Sequence, residues 1–329
     1  MSGGFEFQPV ANGMDFLQSA IRHLEDAEEP TSLKYAVLHL HAAAEVLLKV
    51  RLMREHWALV FRDPGSAKRD ALRQGDFQSV GIDETIVRLR GTASVELDKS
   101  AIDHLKRLGK ERNKLQHFGF EGNQYAIESI AGQALDSLLH FVVDHLVPDA
   151  PNDETEILKE VRELIEGALE NIESLVEARW ERITPRLESC ADEVIACPQC
   201  TNMALWLSDN DFTCFFCDKH WGDVDPYEVA SEYAGNILNG SQHLAAKGRG
   251  YWPVYTCPEC DQEAFVSGMV LRSERDTEAY ACFSCKLITS SDRLSTCSDC
   301  GRYMLVASQE QEDYDPFCSS CWEYRIGKD

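Results

Sequence analysis

Apolar residues recur at the spacing of an α-helix through the first half of the chain. In the clearest example, Leu33, Val37, Leu40, Ala44 and Leu47 fall on one helical face after a break at Pro30. Helices are predicted over residues 15–27, 32–61, 85–89, 95–108 and 125–146. The alternation typical of strands does not occur before residue 190. The pattern therefore predicts an all-α bundle over residues 1–150.

A further apolar stripe follows Pro151 in an acidic stretch. We expect one long acidic connector helix in residues 151–190, which begins near Asn152 and reaches about Ile183, where Pro185 ends or kinks it. An apolar stripe of this kind must be buried against something. Two partners remain open at this point: the bundle itself, or the same helix of a second copy in a short coiled coil.

Residues 191–329 have a different character, with short alternating runs and paired cysteines. All 13 cysteines lie at or after Cys190, and twelve of them form six C-x-x-C pairs. The repeating spacing predicts three small β units over residues 195–222, 255–288 and 295–323, with a helical insert at 225–240. Their three sets of four are Cys197, Cys200, Cys214 and Cys217; Cys257, Cys260, Cys282 and Cys285; and Cys297, Cys300, Cys318 and Cys321.

Metal binding explains these cysteines better than disulfides or redox chemistry. Disulfides are rare in reducing compartments, and residues 1–20 lack the features of a secretory signal. A redox dithiol would not need three matched sets of four cysteines. Four thiolates suit a tetrahedral Zn²⁺ and leave no open position for water. We therefore expect three structural zinc ions and no catalysis at them.

The three units resemble zinc ribbons, in which a β-hairpin joins two C-x-x-C turns. The predicted strand pairs are 203–207 with 212–214, 264–272 with 278–282, and 303–307 with 314–317. Gly301 follows the first turn of the third set, whereas Thr201 and Asp261 hold the matching positions of the others. We therefore expect the first two turns to be less regular. His220 is expected to be a surface residue rather than a substitute ligand.

Charge limits the partners of each half. The net charge is −24, with 34 acidic and 15 basic side chains in residues 151–329 against 22 and 17 in residues 1–150. Binding of a nucleic-acid backbone depends on neutralising phosphates, so the second half is a poor general clamp for DNA or RNA. No run approaches the ~20 apolar residues of a membrane span, and we expect a cytoplasmic protein. One local basic patch stands out: Lys106, Arg107, Lys110, Arg112 and Lys114.

An Arg-x4-His element, Arg112-Asn113-Lys114-Leu115-Gln116-His117, precedes the last predicted helix of the bundle. With it, residues 15–147 resemble the HEPN superfamily (higher eukaryotes and prokaryotes nucleotide-binding), which comprises small, usually dimeric helical bundles, many of them metal-independent ribonucleases. The resemblance implies that Arg112, Asn113 and His117 are catalytic, with Glu45 as an acidic residue of the second helix. It also implies an RNA substrate and a homodimer. The residues expected to bind RNA are Lys106, Arg107, Lys110 and Lys114.

Metal-independent RNA cleavage calls for these residue types. Histidine titrates near neutral pH, so His117 suits a general base or acid. Arg112 is always cationic and forks onto phosphate oxygens, which suits stabilisation of the transition state. Asn113 is expected to orient the phosphate or His117. Because residues five apart on a helix point roughly 140° apart, two copies meeting at the motif would bring Arg112 and His117 together.

The sequence thus predicts an α+β multidomain protein: a HEPN-like bundle, a connector helix and three zinc ribbons. The function that the resemblance implies is an endoribonuclease that leaves 2′,3′-cyclic phosphate ends, as in toxins and in defence or stress effectors. The ribbons would dock a protein such as an antitoxin or an effector complex. The alternative is a non-catalytic HEPN module that dimerises or binds a nucleotide or protein. A DNA-binding regulator that uses the ribbons is a third hypothesis, which the acidity of that half opposes.

A histidine pair on the second helix leaves one more possibility. His39 and His41 lie near Glu45, which follows His41 by one helical turn. These side chains could form a metal-binding face. Packing or a dimer contact is the preferred explanation, because a single helical pair is a weak metal signal.

Overall fold

The computed structural model describes residues 8–27, 29–117, 123–208, 212–306 and 317–326. Helices dominate the chain, and small antiparallel sheets lie towards its C-terminus, which is an α+β arrangement. The chain divides into two compact units, residues 1–182 and 183–329.

The named elements in the described part of the first unit are all helices, as the apolar spacing predicts, and its β-type pairing is a single bridge between Phe61 and Ser79. Pro9 and Pro30 open its first two helices, where a fixed φ suits the first turn and a missing N–H costs nothing. Its helices are α1 (Pro9–Glu25), α2 (Pro30–Glu55), α3 (Arg69–Gln74), α4 (Ile82–Thr92), α5 (Lys99–His117), α6 (Gln124–His145), α7 (Asn152–Lys159), α8 (Val161–Asn171) and the first part of α9 (Glu173–Ser189).

Helix α2 is the central element of this unit. It contacts α1, α4, α5 and α6, so its apolar residues are buried on several sides. Leu40, Leu47 and Leu48 have no exposed surface. Burying one leucine side chain contributes about 1.5–3 kcal/mol. The position of α2, and of every polar side chain on it, is therefore fixed by tight packing.

The segment after Pro151 is not the single connector helix that the sequence predicted. It forms α7, α8 and α9, with breaks at Glu160 and at Ile172, whose backbone is extended. Both α7 and α8 contact α1, and Leu158, Ile165 and Leu175 belong to the same buried core as α1 and α2. A straight helix would carry these residues away from the bundle along one line, whereas the breaks bury them all. The bundle itself, rather than a coiled coil, buries this stripe.

A buried carboxylate joins α6 to α9. Asp136 of α6 is 2% exposed, and it accepts hydrogen bonds from Arg179 and, at 2.6 Å, from Nε of Arg182. Burial would raise the pKa of Asp136, but the two guanidinium groups together hold this pKa below its ordinary value. The carboxylate is therefore ionised and paired inside the unit. Sequence reasoning missed this contact, because two arginines on a charged helix suggest a solvated face.

Replacing Asp136 with asparagine is expected to lower the free energy of unfolding by about 3–5 kcal/mol, because two guanidinium groups would lose the charge of a buried carboxylate. Denaturant unfolding of the full chain measures this. The exposed pair of Asp70 with Arg73 supplies the control, and Asp70→Asn should change stability by less than about 1 kcal/mol. Equal effects of the two substitutions would contradict the assignment.

The second unit contains three small antiparallel sheets within its described residues. The first sheet is β1 (Val194–Ala196) with β2 (Met203–Trp206). The second has the order β3 (Val254–Thr256), β4 (Glu263–Val270), β5 (Glu278–Cys282) and β6 (Ile288–Ser290). The third is β7 (Leu294–Thr296) with β8 (Tyr303–Leu305). Its helices are α10 (Pro226–Asn236), α11 (Gln242–Ala246) and α12 (Ser319–Ile326).

Helix α10 supplies part of the hydrophobic core of the second unit. It contacts β3 and β4, and its residues Val229 and Tyr233 are almost fully buried. The ring of Tyr233 lies 5.8 Å from that of Phe283, which follows β5. The apolar face of this short helix is therefore used within the unit.

Strand pairing in the second unit differs from the predicted hairpins. Paired strands flank the first C-x-x-C turn of every set, with registers such as Ile195 opposite Leu205 in β1 and β2. The predicted pairing between the two turns of a set occurs in full as β4 with β5. In the first set it is a single bridge between Leu205 and Cys214. The predicted strand 314–317 lies outside the described residues except for Phe317.

Candidate functional site

Three groups of four cysteines are placed to hold metal ions, and they are the three sets predicted from the spacing. Within each group the sulfur atoms lie within 4.8 Å of one another. Closest sulfur pairs are 3.8 Å apart in Cys197–Cys217 and 3.6 Å in Cys257–Cys285. A tetrahedron with metal–sulfur distances of about 2.3 Å has edges of about 3.8 Å, whereas a disulfide needs about 2.05 Å. The geometry fits metal coordination by four thiolates.

One backbone pattern recurs in five of the six C-x-x-C turns, all of which lie in described residues. The amide of the first cysteine donates to the carbonyl five residues later, and the amide after the second cysteine donates to the carbonyl of the first, at 2.8–3.1 Å. The residue after the second cysteine has a φ between 57° and 72°. These left-handed residues are Thr201, Asp218, Asp261, Lys286 and Gly301.

This regularity corrects the expectation for Thr201 and Asp261. The first two sets have turns as regular as the one at Gly301, although their residues carry a Cβ. A left-handed conformation costs an L-residue roughly 1–2 kcal/mol, so these turns store strain. These five turns therefore adopt the same backbone conformation whatever residue follows the second cysteine. His220 belongs to none of the three groups.

The sixth turn, Cys318 to Cys321, has a different structure. It leads into α12, and the carbonyl of Cys318 accepts a helical hydrogen bond from Trp322 at 2.9 Å. Its partner Cys300 is exposed, whereas Cys197 and Cys214 in the first group are buried. The backbone amides of Cys300 and Cys318 lower the pKa of Cys297 to about 6. The third group is therefore the most accessible to solvent and to competing chelators.

The full chain is expected to bind three metal ions, and Cys200→Ser should reduce this number to two because serine is a poor ligand for a soft site. Elemental analysis after dialysis measures the content. Cys190→Ser is the matched control, since Cys190 lies outside all three groups, and it should retain three ions. Under a chelator the third group should lose its ion first. An unchanged metal content in Cys200→Ser would contradict the assignment.

Relief of strain at Thr201 gives a second test of the turns. Thr201 is exposed at φ 61°, so Thr201→Gly should stabilise the metal-loaded chain by about 0.5–1 kcal/mol after allowing for glycine's freedom in the unfolded state. A Cβ at Gly301 would meet no atom within 4 Å, so Gly301→Ala should cost about 1 kcal/mol through φ alone. The stability change of each variant is measured from the unfolding transition that disappears when a chelator is added. Destabilisation by Thr201→Gly would contradict the assignment of backbone strain to Thr201.

A polar cleft of about 510 Å³ lies in the first unit, within the range of about 300–1,000 Å³ typical of small-ligand sites. Helix α2 contributes two residues one turn apart, the start of α4 contributes a corner, and one face of α5 forms the longest wall. The lining consists of His41, Glu45, Gly81, Ile82, Asp83, Leu105, Lys106, Gly109, Lys110, Arg112 and Asn113.

The cleft carries a local excess of positive charge. Lys106, Lys110 and Arg112 are opposed by Glu45 and Asp83. Glu45 is already paired with Lys49 outside the lining, at 2.7 Å, and Asp83 is 3.9 Å from Lys106. Lys110 has no ion-pair partner among the described residues. The lining is thus suited to an anion, in a chain whose net charge is −24.

The cleft brings together most of the residues that the motif singled out. Arg112 and Asn113 lie side by side on α5, and Nη1 of Arg112 donates to Oδ1 of Asn113 at 2.9 Å. Glu45 reaches the same cleft from α2. His117 does not line it and is exposed at the C-terminal end of α5. Helix α5 therefore carries both Arg112 and His117, but only Arg112 lines the cleft.

Two residues of the predicted RNA-binding patch also lie elsewhere. Arg107 donates to the side chain of Gln133 at 2.8 Å, and Lys114 pairs with Glu111 at 2.7 Å. Lys106 and Lys110 do line the cleft. The patch therefore divides between two faces of α5.

The possible metal face on α2 does not form. His39 is directed towards α1, where its Nδ1 lies 2.9 Å from Oγ of Ser19 and its ring is 5.5 Å from that of His23. His41 instead lines the cleft with Glu45. Among the described residues, no group of three or more metal-ligating side chains includes them. Sequence reasoning missed His41 as a residue of the cleft, although its place one turn before Glu45 was the signal that could have found it.

A scan against protein-family models, a search of curated proteins and a search of solved structures found no match to this chain. Its function has to be inferred from the chemistry of its own sites. Among the described residues, no helix is both long enough and apolar enough to cross a membrane.

Proposed function

We propose that this chain is a HEPN-type, metal-independent endoribonuclease with a zinc-ribbon module that docks a protein partner. The observation that carries the proposal is the shared cleft of Arg112, Asn113 and Glu45, with Lys106 and Lys110 on the same wall. A cationic cleft that is lined by the guanidinium group of Arg112 suits a phosphodiester. The Arg-x4-His element supplies the resemblance to the family.

In the proposed reaction, the 2′-hydroxyl of RNA attacks the adjacent phosphorus and the 5′-oxygen leaves, which yields a 2′,3′-cyclic phosphate. Arg112 stabilises the charge that develops on the phosphate oxygens. Asn113 holds the guanidinium of Arg112 through their hydrogen bond. Lys106 and Lys110 attract the phosphates of the strand on either side.

His117 would act from a second copy of the chain. It shares α5 with Arg112, and five residues along a helix turn it roughly 140° away. A dimer that places the C-terminal end of one α5 over the cleft of the other would bring both side chains to one phosphate. His117 would then protonate the leaving 5′-oxygen.

Zinc is the metal we assign to the three cysteine groups. Four thiolates at tetrahedral spacing are typical of structural zinc sites, which have no open position for a substrate. Residues 151–329 carry 34 acidic side chains against 15 basic ones, and four thiolates around Zn²⁺ add further negative charge. This surface favours a basic protein partner, such as an antitoxin or a component of an effector complex, over a nucleic acid.

A second candidate is a non-catalytic module that binds a nucleotide or another anion. The position of His117 outside the cleft favours it, because a single copy would hold a phosphate without a motif histidine beside it. Cleavage of RNA in the presence of EDTA distinguishes the two functions.

Arg112→Ala and His117→Ala are each expected to lower the rate of RNA cleavage by at least about 10²-fold, while the fold and the metal content stay unchanged. The assay uses mixed RNAs with EDTA at a concentration that leaves the structural ions bound, as elemental analysis verifies, and the cyclic phosphate ends are identified by mass spectrometry. Arg73→Ala, which removes an exposed charge paired with Asp70 on α3 and outside the cleft, serves as the control. Full activity in either motif variant would refute the catalytic assignment.

Mixing the two inactive variants tests the composite site. With random exchange, about half of the dimers carry one copy of each variant, and each of these has one intact pair of residues, so about a quarter of wild-type activity should return. A mixture that stays inactive despite exchange of subunits would argue that His117 does not act across a dimer.

A further inference from the structure

His41 occupies a position in the cleft that the Arg-x4-His motif does not explain. It lies on α2, one helical turn before Glu45, and is half-buried. A Cβ added at Gly109 would lie 3.6 Å from Nε2 of His41. The imidazole is therefore held against the wall of α5, at the level of Lys110 and one turn from Arg112.

The ring nitrogens of His41 have no hydrogen-bond partner among the residues that the structure describes. No hydrogen bond to this imidazole is found among the described residues, whereas two other half-buried histidines of the unit are bonded. His39 pairs with Ser19 and His104 with Ser137, both at 2.9 Å. An imidazole that lines a cleft suited to an anion, and that forms no hydrogen bond with a described residue, can exchange a proton with whatever fills the cleft.

We propose that His41 is a second catalytic residue of this cleft and takes the proton of the attacking 2′-hydroxyl, in the same copy of the chain as Arg112. The inference rests on the proposed endoribonuclease function. The O2′–H bond breaks as the O2′–P bond forms, and the proton passes to His41. The P–O5′ bond breaks, and the 5′-oxygen takes a proton from His117 of the second copy. Exchange with water then restores both histidines.

The charges around His41 favour the form that a base needs. Burial lowers the pKa of His41 most, Arg112 lowers it further, Glu45 raises it and Lys49 lowers it slightly. Since the net direction is below the ordinary value, the imidazole is neutral at pH 7 and can accept a proton. The charged groups that face it are Glu45 and Lys49 of α2, Asp83 of α4, and Lys106, Lys110 and Arg112 of α5.

A substrate whose leaving group needs no proton distinguishes the role of His41 from that of His117. A 4-nitrophenyl ester of uridine 3′-phosphate releases nitrophenolate, which needs no proton, so the general acid becomes dispensable while the base does not. His41→Gln should therefore lose about 10²–10⁴-fold in rate on both RNA and this ester. His117→Ala should lose activity mainly on RNA.

The matched control is His39→Gln, the same substitution two residues earlier on α2, where the side chain is directed towards α1. It should leave both rates within about twofold of wild type. His41→Gly should recover activity when free imidazole is added, and His41→Gln should lose the acidic limb of the pH–rate profile. A structural role would produce neither effect.

Three results would each overturn the role of His41. A wild-type rate in His41→Gln, while Arg112→Ala stays inactive, would overturn the role of His41 and leave the proposed function intact. Loss of activity with an unchanged acidic limb and no response to imidazole would also overturn it. If the wild-type chain cleaves neither RNA nor the ester in EDTA, the proposed function and the role of His41 both fail.

Discussion

The burial of α2 among four helices is the constraint on which the cleft depends. A helix packed on several sides cannot rotate without exposing leucines such as Leu40 and Leu47. The polar side chains of its central turns must therefore emerge at the gaps between neighbouring helices. His41 and Glu45 emerge at the gap that α4 and α5 leave, and α5 presents its cationic face to the same gap. Packing of apolar residues thus positions the polar ones, and no network of hydrogen bonds is needed to gather them.

The second unit depends on a different constraint. The first and third sheets of this unit each have only two strands of three or four residues. A two-stranded sheet of this size is not stable alone in water. The strand pairs are closed by C-x-x-C turns, and the turn of the first sheet holds Thr201 in a left-handed conformation. Such strain persists only where other interactions require it, and coordination of one ion by four thiolates is an interaction of sufficient strength. We therefore expect folding of these sheets to be coupled to binding of metal.

The sequence predicted what depends on local pattern and left open what depends on assembly. Helix spacing located the main helices, and cysteine spacing located all three metal-binding groups. The breaks at Glu160 and Ile172 were not predictable, because neither proline nor glycine marks them and they follow from packing against α1. The strands before the first turns were missed because three residues are too few to show alternation. The burial of Asp136 with Arg179 needed α6 and α9 to be placed.

Charge sets the remaining condition on a substrate. The chain is strongly acidic overall, so a long polyanion is repelled wherever it lies outside the cleft, over a range of about 8 Å at physiological ionic strength. Inside the cleft, Lys110 and Arg112 reverse the sign of the interaction. A short or locally exposed single strand of nucleic acid can place one phosphate in the cleft while its other nucleotides stay in solvent. A rigid duplex would bring many more phosphates near a chain of net charge −24, so the electrostatics favour an accessible single strand.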